Sequence, residues 1–138
     1  MTYGLTIPLV CLLAFVAWTI GLVVALTFAR LRHLRGGGSI RDFGVPDDRR
    51  LIWRLFRAHA NCIENLPLFA AVVLVAALIG RQSRALDVLA VAYLAARLGQ
   101  SISHVTPGAG LRFNVRFGFF VVQIVCLAGF IVILSVPA

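Results

Sequence analysis

Residues 5–29 form one stretch without a charged side chain. A helix rises about 1.5 Å per residue, so roughly 20 apolar residues span a hydrocarbon core about 30 Å thick. Three more apolar runs follow, joined by short polar segments. The chain is therefore expected to be an all-α membrane protein, a four-transmembrane-helix bundle. The runs place helices at about 5–30, 49–79, 85–104 and 111–136 and use nearly all of the 138 residues. No long polar stretch is left for a second domain, so 1–138 reads as a single domain.

Local signals set the helix ends. Pro8 lies in the first turns of helix one, where proline is tolerated. Arg30, Arg32, His33 and Arg35 close that helix, since cations suit a helix C-terminus. Gly36-Gly37-Gly38 opens the first loop, and Asp47 or Asp48 is the expected N-cap of helix two. Pro67 is expected to kink helix two. Gly80 to Arg84 makes a short turn, and Thr106-Pro107-Gly108-Ala109-Gly110 breaks the chain before helix four. The N-terminus has no basic region and no small-residue cleavage site after the first run. Helix one therefore reads as a retained span, not a signal peptide.

The net charge is +8, and all thirteen basic residues are arginine. They lie between and at the ends of apolar runs, which favours a membrane reading over a nucleic-acid partner. The first loop and its flanks hold Arg30, Arg32, Arg35, Arg41, Arg49 and Arg50. The positive-inside rule then puts loops one and three in the cytoplasm and both termini outside. Cys11, Cys62 and Cys126 are far apart in apolar runs and read as buried free thiols. No histidines and carboxylates have ligand spacing, so no metal is expected.

Ionisable residues inside spans are costly and usually functional. Helix two carries Arg54, Arg57, Asn61 and Glu64 at steps of three, four and three, which puts them on one face. His59 lies off this stripe, where helix contact and ligand contact are equally open. Helix three carries Arg97, Gln100, Ser101 and His104, and helix four Arg112, Arg116 and Gln123. All three stripes lie at the same end of the bundle. Arg54 and Arg112 also suit interfacial anchoring. Glu64 suits pairing with Arg57 or Arg97, and His104 suits capping helix three. Several guanidiniums and one carboxylate suit an anion that also bears a cation. Glutathione, with two carboxylates, an ammonium and a thiol, fits, but composition does not choose it over other zwitterionic anions.

The run from Arg54 to Phe69, RLFRAHANCIENLPLF, resembles the signature of the MAPEG family, the membrane-associated proteins in eicosanoid and glutathione metabolism. The resemblance extends to the basic first loop and to Ala96-Arg97 late in helix three. It implies a homotrimer with glutathione bound between subunits near the cytoplasmic face. By motif position Arg57, Asn61 and Glu64 would contact glutathione. Arg30 would reach it from the neighbouring subunit, and Arg97 resembles a family arginine on helix three. Arg116 would stabilise the thiolate, with Arg112 the runner-up. Gln100 and His104 stand where the eicosanoid synthases have tyrosines, and Phe117 follows Arg116 where some members have serine. These departures argue against a dedicated eicosanoid synthase.

The expected function is a glutathione-dependent transferase that conjugates the thiolate to lipophilic small-molecule electrophiles, with peroxidase activity as an extension. The rival is a non-catalytic lipid-binding or scaffold protein of the same fold. A four-helix drug exporter ranks lower, because helix one has no acid. Membrane lipids and further copies of the chain are the expected partners.

Overall fold

The computed structural model describes residues 4–107 and 112–136, with the side chains of residues 112 and 113 excepted. Four helices follow in order: α1 (Ile7–Arg35), α2 (Leu51–Leu78), α3 (Arg84–Val105) and α4 (Arg112–Ser135). Each is long and apolar enough to cross a membrane, with α1 and α4 distinctly more apolar than α2 and α3. Among the described residues there is no strand. α1 packs mainly on α2 and α4 mainly on α3, while α2 and α3 join the two pairs.

The core is a ring cluster at mid-bundle. Phe69 and Tyr93 stack nearly parallel at 4.2 Å between centroids, and Phe130 meets Phe69 edge-on. Phe15 tilts against both Phe69 and Tyr93. All four rings are fully enclosed. The Tyr93 hydroxyl donates to the Asn65 carbonyl at 3.3 Å, which satisfies the ring's polar tip inside the span. Much of the remaining apolar surface points outward, Phe28 at 68% and Leu78 at 84% exposure. Such a surface suits acyl chains, not water. α3 and α4 approach closely through glycine: Gly99 lies under the Phe119 ring and Gly129 under Leu89.

One helix end differs from sequence expectation, the start of α2. α1 runs to Arg35, with Arg32, His33 and Arg35 in its last turn. Its terminal arginines extend it into the interface, and it stops only at the glycine triplet, where Gly37 takes φ +86°. The N-cap of α2 is Arg50, without a side-chain cap, not Asp47 or Asp48. Asp47 instead accepts the Arg49 amide at 3.0 Å, a local turn that competes with capping. α2 continues through Pro67 as one helix. The expected break in loop three falls partly on residues 108–111, outside the described residues.

Loop one contains a 3₁₀ helix, Ile40–Gly44, that the sequence reading leaves as plain loop. The Ser39 hydroxyl accepts the Arg41 amide, and the Asp42 carboxylate accepts the Ser39 amide at 2.9 Å. Asp42 also bonds His33 Nε2 at 2.8 Å, fastening this turn to the last turns of α1. The His33 hydrogen bond, followed by the Ser39 amide, holds the Asp42 carboxyl below its ordinary pKa of 3.8. Gly38 lies directly against the His33 ring, so the latch requires a residue without Cβ there. At the other end of the bundle, α2 ends in a Schellman turn. Gly80 at φ +67° lets the Arg81 and Gly80 amides reach the Ala76 and Ala77 carbonyls. Ser83 then caps α3 by accepting the Leu86 amide.

Candidate functional site

The polar stripes of α2, α3 and α4 meet through a chain of hydrogen bonds. Arg97, fully enclosed, donates from Nη1 to the Asn61 carbonyl at 3.2 Å and to Gln123 Oε1 at 3.1 Å. An arginine can only donate, so the Gln123 oxygen must face it. The Gln123 amide nitrogen then donates to Gln100 Oε1 at 2.9 Å and to the Phe119 carbonyl at 3.0 Å. Asn61 and Asn65 each turn their side-chain amide back to a carbonyl one turn earlier. Ser101 bonds the Arg97 carbonyl and lies 3.4 Å from the Cys62 sulfur. All three cysteines are free and buried.

Nearer the end of the bundle, Arg116 Nη1 lies 3.3 Å from His104 Nδ1. The guanidinium is the donor, so Nδ1 accepts and the ring proton sits on Nε2. Arg54 ties two elements together. Its Nε donates to the Val105 carbonyl at the end of α3, and its Nη1 donates to the carbonyls of Asp48 and Arg49. Arg54 is thus committed to holding the start of α2 against the end of α3. Arg57 meets Asp48 at 3.4 Å with both side chains well exposed, a pair that contributes little.

Other candidates stand apart. Glu64 is exposed on the protomer and has no ion pair among the described residues, so the expected pairing with Arg57 or Arg97 does not occur within one protomer. Periodicity places Glu64 and Arg97 at similar depth, but they point differently: Arg97 into the bundle, Glu64 out of it. His59 is partly buried and makes no hydrogen bond among the described residues. Arg30 lies over the Phe43 ring of loop one at 5.3 Å, on the α1 side, with its Nε buried and unpartnered. The side chain of Arg112 lies outside the described residues. Arg97 also keeps Nε and Nη2 without a partner, an excess of buried positive charge beneath the Arg116–His104 pair. Gln123 links this network across α3 and α4. Its signal in the sequence is a lone polar side chain in the otherwise apolar stretch Phe117–Leu134, two turns beyond Arg116.

Four apolar helices with a buried guanidinium network at one end define a polytopic membrane protein. A family model, described as the MAPEG family, matches residues 8–136. The chain belongs to the MAPEG family, the membrane-associated proteins in eicosanoid and glutathione metabolism, and is an integral, multi-pass membrane protein. Neither curated proteins nor solved structures give a significant match.

Proposed function

We propose that the protein is a membrane-bound glutathione transferase, and a peroxidase towards lipid hydroperoxides, working as a homotrimer with glutathione held between protomers. The observation that carries this reading is the outward-facing Glu64. An exposed carboxylate within a membrane span requires a counter-charge, and α2 offers it none in the protomer. A glutathione ammonium in a cleft closed by a neighbouring copy supplies one. Arg57 and Asn61 on the same stripe, with Arg30 from the neighbour and Arg112 at the start of α4, take the carboxylates. The sidedness follows from loop one: its arginines put loops one and three in the cytoplasm and both termini outside.

In this reading Arg116 is the catalytic residue. A thiol with a pKa of about 8.5 is mostly protonated at neutral pH, and nearby positive charge lowers that value. Arg116 lies in the first half of α4, beside neutral His104 and above the enclosed charge of Arg97. The thiolate electron pair forms a C–S bond with an electrophile dissolved in the bilayer, and the leaving group departs with its bonding electrons. Gln100 and His104 line the approach; Arg54 and Arg97 support it structurally.

The test is thiolate absorbance on adding glutathione to the purified protein, with conjugation of an aryl halide measured beside it. An adjacent charge shifts a pKa by about 1–3 units, so Arg116→Ala should cut the thiolate fraction roughly tenfold or more. Glu64→Gln should weaken glutathione binding and leave the oligomer intact. The Arg97–Gln123–Gln100 network, which ties α3 to α4, favours a second reading, a non-catalytic scaffold whose polar groups only assemble the bundle. Wild type that forms no thiolate and conjugates nothing selects that reading.

A further inference from the structure

The opposite end of the bundle holds a cleft of about 680 Å³ between the start of α1, the end of α2 and the start of α3. That volume is in the range of small-molecule sites. Leu9, Val73 and Leu86 line its apolar part. Ser83, Arg81 and Asp87 line its polar part. The small side chains of Ala76 and Ala77 leave it open.

Two charges of opposite sign line this one cleft without pairing to each other. Asp87 is partly buried in the first turn of α3 and forms no ion pair among the described residues. Arg81 donates from Nη1 to the Val136 carbonyl at 3.1 Å, which fixes its guanidinium at the end of α4. The Schellman turn at Gly80 sets the Arg81 backbone in place. A ligand that answers both groups must carry a cation and an anion a short link apart. It must also tolerate the depth at which spans end and bring an apolar tail for the cleft floor.

We propose that this cleft binds the headgroup of an aminophospholipid, its primary ammonium on Asp87 and its phosphate on Arg81. The ammonium has N–H groups to donate to Asp87 and to the Ser83 hydroxyl. A quaternary choline has none, and a glycerol headgroup has no cation, so the cleft distinguishes phosphatidylethanolamine from both. The phosphate accepts from the guanidinium nitrogens of Arg81 that Val136 does not engage. The glycerol and first acyl carbons then lie along Leu5 and Leu9 at the cleft mouth. The site is independent of the arginine network at the other end.

The test uses the intact protein in nanodiscs of phosphatidylcholine, in which part of the lipid is replaced by phosphatidylethanolamine or by phosphatidylglycerol. Lipid retained after release into the gas phase is counted by native mass spectrometry. Wild type should retain the ethanolamine lipid about tenfold over either other lipid, the value of one charge-assisted contact. Asp87→Asn should abolish the preference. Ala77→Leu, which fills the cleft and leaves every charge in place, should abolish it too, and it carries the test if Asp87→Asn assembles poorly. Equal retention of the three lipids by wild type overturns the proposal. So does a preference that survives Ala77→Leu. A preference for phosphatidylglycerol would assign the cleft to anionic lipid through Arg81 alone and overturn the role of Asp87.

Discussion

Gln123→Leu removes the joint of the buried network while nearly keeping side-chain volume. Two contacts between α4 and α3 disappear: the acceptor for Arg97 at 3.1 Å and the donor to Gln100 at 2.9 Å. The bond to Phe119 lies within α4 and adds little to helix association. Polar contacts between membrane helices average about 0.6 kcal/mol and reach about 1.7 kcal/mol. Arg97 is charged and fully enclosed, so its contact belongs near the upper value. The expected loss is about 1–3 kcal/mol, measured as a shift in unfolding midpoint by denaturing detergent in mixed micelles. Gln123→Glu should cost less, because a carboxylate answers the Arg97 charge even though both amide donors are lost. A Leu variant as stable as wild type, or a Glu variant worse than Leu, would refute the argument that this network holds α4 to α3.

Three further outcomes are expected. Gly99→Ala places a Cβ 2.5 Å from the Phe119 ring and should destabilise by about 1–3 kcal/mol, whereas Gly21→Ala meets nothing and should be neutral or slightly stabilising; thermal melts of the pair check this. The loop-one latch should open only in acid: Asp42 has a lowered folded pKa, so its contribution is complete above about 3.8 and is lost as pH falls through the lower folded value. Fluorescence from a probe at Ile40, followed from neutral pH to strong acid, should change only in that low window. A cysteine at Ser39 should resist membrane-impermeant labelling in intact cells and react in inverted vesicles; the reverse pattern overturns the sidedness.

The four spans were legible because lipid imposes length and apolarity on every spanning helix. The candidate residues were legible for a related reason, since each polar side chain in a span stands out. What periodicity did not give is the rotation of one helix against another. Arg97 and Glu64 read as neighbours in depth, but packing of α3 on α4 turns one inward, and α2 leaves the other outward. Gln123 was visible as a polar residue, but its tie to Arg97 depends on the glycine-mediated approach of α3 to α4. Short-range competition explains the cap of α2. Asp47 has a nearer amide, that of Arg49, and takes it. The 3₁₀ helix of loop one has a local capping box, Ser39 with Asp42, and its tie to His33 on α1 was the part that spacing did not give.

The unequal apolarity of the helices bears on how the chain enters a membrane. α1 and α4 have the composition to partition on their own. α3 carries Arg97 and α2 carries Arg57 and Glu64, and an arginine is a penalty of about 2.5–3.5 kcal/mol at a span centre on insertion scales. Once α4 arrives, Gln123 and the bundle interior take up the Arg97 guanidinium, which lipid solvates poorly. Biogenesis of this protein is therefore expected to be cooperative. The inner pair of helices is helped into the bilayer by the outer pair, and a nascent chain that ends before Gln123 offers Arg97 the Asn61 carbonyl but no side-chain acceptor.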